Sequence, residues 1–185
     1  MRRLIVSNVM SLDGFFESTD KKLDWFVPDE EFFAYAKDML RSTDTLIFGR
    51  LTYELMAAYW PSAPKDEIAD AMNNLPKVVF SQTLDKVDWS KSRLVKGDAA
   101  KEIAKLKQQS GKDMVVLGSA ALASSLLTAG LIDEYRVILM PVLLGGGNPL
   151  FDGIHGRLRL ELNRTKLLRS GAIVLYYHPL VEIDT

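Results

Sequence analysis

Two segments far apart in the chain constrain its fold more than anything else in it. The first is Asp44–Glu54, where Thr45-Leu46-Ile47-Phe48 runs through Gly49 into Arg50-Leu51-Thr52-Tyr53-Glu54. The second is Met114–Ser124, where Met114-Val115-Val116-Leu117 runs through Gly118 into Ser119-Ala120-Ala121-Leu122. An unbroken apolar run, without alternation, marks a strand buried on both faces, and such a sheet needs helices packed on either side. Each strand meets its helix at a glycine, so the first helical N–H groups and the positive end of the helix dipole point past the strand end. That arrangement suits an anion, above all a phosphate.

The rest of the chain reads as further strands and helices. Leu4–Met10 reads as a first strand, followed by the turn Ser11-Leu12-Asp13-Gly14. Asp29, Glu30 and Glu31 open a helix with an acidic first turn, and Phe32, Phe33, Ala36, Met39 and Leu40 recur at helical spacing. Arg50–Tyr59 is predicted as a helix ended by Pro61, Lys65–Asn74 as a short helix and Lys77–Ser81 as a strand. Arg93–Lys96 is a short strand, Asp98 caps a helix to about Gln108, and Asp113–Gly118 is a strand. Ser119–Ala129 is a helix closed by Gly130, and Glu134–Val142 a strand reaching Gly145-Gly146-Gly147. From Leu158 to His178 the period changes to alternation around Ser170-Gly171, which predicts an antiparallel hairpin. The expected architecture is a three-layer α/β/α domain over residues 1–185, with a mixed sheet whose antiparallel hairpin is C-terminal. Ligands in such sheets bind at the carboxyl ends of the strands, where both glycine turns fall.

Composition narrows the function. The 185 residues carry a net charge of −1, so no global field favours nucleic acid or an anionic membrane. With no cysteine and only His155 and His178, the chain has neither thiolate ligands nor an H-x-x-x-H pair, and no metal is expected. The apolar run after Met1-Arg2-Arg3 is too short for a signal peptide or a membrane span, so a cytoplasmic protein is expected. Two glycine turns, one with an arginine, suit a ligand with separate phosphate groups, and NADPH is such a ligand.

The order of these motifs resembles the dihydrofolate-reductase-like superfamily. Gly49-Arg50-Leu51-Thr52-Tyr53-Glu54, then Val78-Val79-Phe80-Ser81, then Gly118-Ser119 carry the likeness. Ser11-Leu12-Asp13-Gly14-Phe15, Leu131-Ile132-Asp133-Glu134 and Pro141–Phe151 make it similar to one branch, the C-terminal reductase domain of the bifunctional riboflavin-biosynthesis deaminase-reductase. The likeness spans roughly residues 3–178 and implies the fold named above and an NADPH-dependent oxidoreductase. Its activity would be like that of 5-amino-6-(5-phosphoribosylamino)uracil reductase or of dihydrofolate reductase. It implies that Gly49, Arg50 and Thr52 meet the cofactor phosphates, with Arg50 near the 2′-phosphate. Ser81 and Gln82 would meet the adenosine ribose, and Lys96 would stand near the same phosphate. Gly118, Ser119, Ala120 and Ala121 would wrap the pyrophosphate, and the Asp13-Gly14 turn resembles a mobile loop over the nicotinamide. A homodimer through the sheet edge near Leu158–Tyr177 is implied as well. The deaminase half of that enzyme needs cysteines for its zinc, so this chain corresponds to a stand-alone reductase.

Several residues keep two readings at the level of sequence. Glu30 is the nearest equivalent of an acidic proton donor, yet an acidic first turn is what any helix prefers. Asp13 is a second candidate acid, or a turn residue. Gly145, Gly146 and Gly147 either shape a substrate pocket or form a loop needing positive φ. Arg157 and Arg159 either bind phosphate or decorate a strand. Phe15, Phe16, Trp25, Phe26, Phe32 and Phe33 line a flat pocket or fill the core, and Trp60 borders the cleft or packs its helix. Besides a reductase of a small pterin-, pyrimidine- or ribityl-like heterocycle, the sequence admits true dihydrofolate reductase activity or a nucleotide-binding module without turnover.

Overall fold

In the computed structural model, which describes residues 1–154 and 156–180, the doubly buried strands form the middle of one large sheet. The chain runs β1 (Leu4–Ser11), β2 (Phe15–Ser18), α1 (Glu30–Arg41), β3 (Thr43–Gly49), α2 (Arg50–Tyr59) and a 3-10 turn at Trp60–Ser62. It continues with α3 (Glu67–Asn74), β4 (Lys77–Phe80), β5 (Ser92–Val95), α4 (Ala99–Gln108), β6 (Asp113–Leu117) and α5 (Ala120–Thr128). Last come β7 (Glu134–Met140), β8 (Gly147–Pro149), β9 (Arg159–Leu167) and β10 (Ile173–Leu180). The 8-stranded sheet has the order β5-β4-β3-β6-β1-β7-β10-β9. Its first six strands are parallel, and β10 joins β7 and β9 antiparallel. The expected three-layer mixed sheet with its C-terminal hairpin is the observed one.

Strand alternation divides the core into two layers. Leu4, Val6, Ile47, Met114 and Val116 face α4 and α5, packing with Ile103, Leu106, Leu126 and Leu127. Ile5 and Val115 face the other way with Tyr35 and Met39 of α1, and Leu46, Phe48 and Val79 pack with Tyr53, Ile68 and Met72. Successive residues of one strand therefore serve opposite layers, which is why β3 and β6 are apolar throughout.

The amino ends of the parallel strands are laced together by charge. Arg2 donates to Asp44, and to Thr45 Oγ1 at 2.7 Å. Arg3 forks onto the Asp113 carboxylate at 2.5 and 3.0 Å. The Asp133 carboxylate accepts from the Leu4 N–H at 2.7 Å and from buried Lys107. Lys77, at the start of β4, is buried and donates to the carbonyls of Asn73, Leu75 and Ser90. The motif Leu131-Ile132-Asp133-Glu134 thus fastens β7 to β1 and α4.

One strand pairing and two helix starts differ from the sequence reading. Phe15–Ser18 and Gly147–Pro149 pair as a separate two-stranded antiparallel ribbon, where sequence offered only a turn and a loop. The helix expected from Lys65 starts at Glu67, because the Asp66 carboxylate accepts from the Ala69 N–H and caps it there. The helix expected from Ser119 starts at Ala120, because Ser119 has left-handed backbone. His155 lies outside the described residues. Among the described residues no helix is long and apolar enough to cross a membrane.

Candidate functional site

Gly49 and Gly118 end the neighbouring strands β3 and β6 and stand against each other. A Cβ on Gly49 would lie 2.2 Å from Ser119 Oγ, and one on Gly118 would lie 2.7 Å from Thr52 Cγ2. Gly118 has φ +67° and Ser119 φ +51°, two consecutive residues in the left-handed region that disfavours any side chain. The strained turn is held by Thr52, whose Oγ1 accepts the Ser119 N–H at 2.9 Å. Accepting that bond leaves the Thr52 hydroxyl proton to point elsewhere. The two motifs, 69 residues apart in sequence, therefore form a single structure.

The helices that start here differ from the rest. Asp29, Asp66 and Asp98 cap α1, α3 and α4 by accepting from Phe32, Ala69 and Lys101 N–H groups. Each of these three helices also carries acid in its first turn. By contrast, α2 and α5 have no side-chain cap and no acid in the first turn. Their leading N–H groups and positive dipole ends converge where Gly, Ala120 and Ala121 leave room. Arg50 stands at the first position of α2 and donates to Glu54 Oε2 at 3.0 Å, an exposed pair one turn on.

These turns border a cleft of about 930 Å³ that crosses the carboxyl edge of the sheet. Gly49, Arg50, Thr52, Gly118, Ser119, Ala120 and Ala121 all line it. On its other side α1 and α2 contribute Phe32, Tyr35, Ala36, Leu51, Leu55 and Met56, and β1 contributes Ser7. Ser7 Oγ and Tyr35 Oη share a hydrogen bond of 3.0 Å, and burial raises the Tyr35 pKa. Phe16, Phe26, Phe33 and Trp60 also border the cleft, whereas Phe15 and Trp25 are not among its lining residues.

Other sequence-derived residues fall outside it. Ser81 is buried, and its hydroxyl accepts from the Thr83 and Leu84 N–H groups at 3.2 and 3.0 Å, so it closes its own turn. Gln82 is exposed just after β4, and Lys96 just after β5 pairs with Asp85 at 3.6 Å. Glu30 opens into a separate depression with Phe33, Lys37 and Asp66. Its neighbours are engaged: the Asp29 and Glu31 carboxylates accept the Ser170 and Arg169 N–H groups of the β9–β10 turn. The acidic first turn of α1 thus docks the hairpin.

Asp13 and the glycine loop also meet each other. The Asp13 carboxylate accepts from Ser11 Oγ at 2.7 Å, from the Gly145 N–H at 2.7 Å and from the Leu144 N–H at 3.1 Å. The Ser11 hydroxyl, with those two N–H groups, brings its pKa down to about 2. Backbone donors of the Gly145 loop are therefore directed at a carboxylate of the chain itself. Gly147 opens β8 opposite Ser18, and Gly145, Gly146 and Gly147 are not among the residues lining the cleft. Arg159 begins the edge strand β9, and Arg157 lies exposed just before it.

Sequence reading missed Ser7, Tyr35, Leu51, Leu55 and Met56 as cleft residues. The available signal was in α2 itself: Leu51 and Leu55, four residues apart, form an apolar pair on a different face from Tyr53, which packs into the core.

Comparison with known proteins agrees with this geometry. The chain is 33% identical over 186 residues to the uncharacterized protein YyaP of Bacillus subtilis, covering 96% of this chain and 95% of that one. Among solved structures, a putative riboflavin biosynthesis protein from Shewanella sp. PV-4 superposes with a TM-score of 0.77 at 26% identity, covering 96% and 99% of the two chains. Dihydrofolate reductase from Enterococcus faecalis, complexed with NADP(H), shares the fold at a TM-score of 0.65 and 16% identity, with 96% of each chain covered. Residues 2–174 match the RibD C-terminal domain. With that match spanning both glycine turns and the cleft between them, the chain belongs to the RibD C-terminal domain family of reductases and has a dihydrofolate-reductase-like fold.

Proposed function

We propose that this protein is an NADPH-dependent reductase of a small heterocyclic acceptor. The observation that carries the reading is the pair of uncapped, acid-free helix starts at Gly49 and Gly118, set side by side on the cleft, while the other α-helices among the described residues are capped by aspartate. The first turns of α2 and α5 would hold the pyrophosphate through backbone N–H groups, with the Thr52 hydroxyl proton as a further donor. Arg50 would turn from Glu54 to the 2′-phosphate, for which its planar fork is suited. Gln82 and Lys96, at the ends of the next two strands, would meet the adenosine end beyond the cleft, with the Ser81 turn holding the loop between them. Once bound, the cofactor supplies the hydride. The chain itself must place the acceptor, exclude water and present a proton. In this reading neither Glu30, which faces another depression, nor the hydrogen-bonded Asp13 serves the acceptor. The Ser7–Tyr35 hydroxyl pair lines the cleft and can relay a proton from water.

The position of Glu30 also separates the protein from a true dihydrofolate reductase, and a folate-coupled NADPH oxidation assay is expected to show no turnover. We further propose a homodimer through the edge strand β9, where Leu162 and Leu167 are exposed, with a cytoplasmic location. The main test is cofactor discrimination. Arg50→Ala is expected to weaken NADPH binding by roughly tenfold to a hundredfold, the range for a lost charge-assisted hydrogen bond, and to leave NADH nearly unchanged. Equal losses for both cofactors, or no binding of NADPH to the parent protein, would overturn the reading.

A further inference from the structure

The acceptor side of the cleft differs in chemistry from the phosphate side. Between α1 and α2 it is walled by Phe32, Ala36, Met39, Leu51, Leu55 and Met56, with Trp60 at the end. Leu51 is 64% exposed and Leu55 53%, although α2 has a core face available to it. Large aliphatic groups held in water on a concave surface favour an apolar ligand, because covering them removes apolar surface from water. Away from the glycine turns, the uncharged polar residues lining the cleft are Ser7, Tyr35, Asn8 and Asn148: the Ser7 and Tyr35 hydroxyls bond to each other, Asn8 donates to Tyr135 and Asn148 to Glu17.

Among the described residues, the charged ones lining the cleft are half-buried Glu17 and exposed Lys21, Arg50 and Asp152. Glu17 belongs to the β2–β8 ribbon and accepts from Asn148 Nδ2. Arg50 pairs with Glu54 and stands at the phosphate turns. Lys21 and Asp152 are exposed, in the loops that follow β2 and β8. No lysine or arginine of α1 or α2 other than Arg50 lines the cleft. The nearest buried cation, Arg136, contacts the Tyr35 hydroxyl from beneath, but it does not line the cleft and its charge is held by buried Glu134. A phosphate or carboxylate placed between these helices would therefore be desolvated with no free cation among the lining side chains, which is strongly unfavourable.

We propose that the acceptor is an uncharged, flat ring compound held between α1 and α2, without a phosphorylated side chain. This rests on the reductase reading above, because it is that reading which makes the α1–α2 side the acceptor's place. Flat rings suit the Phe32, Tyr35 and Trp60 surfaces, and the Ser7–Tyr35 pair can offer one hydrogen bond to a ring heteroatom or carbonyl.

The test uses three fluorescent probes with closely related tricyclic rings and different tails: lumichrome with no tail, riboflavin with a neutral tail, and riboflavin 5′-phosphate. Binding is read by anisotropy on the purified protein, with and without saturating NADPH. Lumichrome is expected to bind about tenfold or more tightly than riboflavin 5′-phosphate, with riboflavin between them. Leu55→Lys, at an exposed position, is expected to reverse that order while melting temperature and the NADPH thermal shift stay as in the parent. Lys21→Ala is expected to leave all three affinities unchanged. The proposal is overturned if the phosphate probe binds as well as lumichrome, if its binding is lost in Lys21→Ala, or if no probe binds. Loss of the NADPH thermal shift in the parent protein would instead sink the reductase reading, leaving the tail preference as a separate result.

Discussion

The two ends of the same parallel strands are built on opposite rules. At the amino ends, nearly every charge meets a partner from the chain: Arg2 with Asp44, Arg3 with Asp113, Lys107 with Asp133, and Arg136 with Glu134. At the carboxyl ends of β3 and β6 the chain has glycine and alanine instead, and two helices begin there without caps. Backbone and strand direction are the same at both ends, so the contrast lies in which polar valences the chain satisfies itself. One end is closed by its own ions, and at the other the leading helix N–H groups have no side-chain cap.

The largest test of this contrast is at the closed end. Asp133→Ala leaves the buried Lys107 ammonium and the Leu4 N–H without their acceptor, and stability is expected to fall by about 3 kcal/mol. Urea unfolding measures the loss, while the NADPH dissociation constant of the folded protein is expected to stay unchanged. A cofactor affinity that fell in step would mean that the two ends are coupled. At the open end, Thr52→Val leaves the Ser119 N–H unpaired, which is expected to cost about 1–2 kcal/mol of stability and roughly tenfold in NADPH affinity. Thr52→Ser is expected to restore both, and a stability loss without an affinity loss would show that the strained turn does not shape the site.

The smallest effect concerns Lys77, which has three carbonyl acceptors and lies over the Trp89 ring, 4.3 Å from its centroid. Burial, with the nearby charge of Lys91, brings its pKa down to about 8. The unfolded chain therefore holds this proton more strongly than the folded one between pH 8 and the ordinary lysine range. Over that window stability is expected to rise with pH, and below pH 8 Lys77 contributes no slope. The comparison of parent and Lys77→Met by thermal unfolding from pH 7 to 9.5 isolates the slope before tyrosines titrate. Equal slopes in both proteins would show that Lys77 does not titrate there.

Helix ends were the most legible part of the chain, because capping is local: Asp29 and Asp98 mark their helices within a residue. Apolar runs likewise located the central strands, since burial on both faces leaves its trace in consecutive residues. What sequence did not carry was pairing at a distance. The β2–β8 ribbon joins four residues to three across more than a hundred others, and neither piece has a pattern of its own. Asp13 and Gly145 each kept a turn or loop reading beside a ligand one, and the bond between them, across more than a hundred residues, had no local signal. Glu30 lies in another depression for a different reason: one residue on a helix is a 100° turn, so a small shift in register moves a carboxylate from one cleft to another. The Thr52–Ser119 bond, which unites the two glycine turns, lies beyond any local signal.

Strand order has a consequence for how the molecule comes into being. β6 sits between β3 and β1, so those two earlier strands do not touch along the sheet until it is inserted. A chain emerging from the ribosome must hold β1, β3, β4 and β5 as two unjoined pieces until residue 117 or so has been made. Closing that gap is a long-range event, the kind that slows folding and exposes apolar edges meanwhile. The same insertion sets Gly118 against Gly49. The paired glycine turn therefore cannot exist before β6 is in place, and ligand binding there would report that insertion and not the earlier steps.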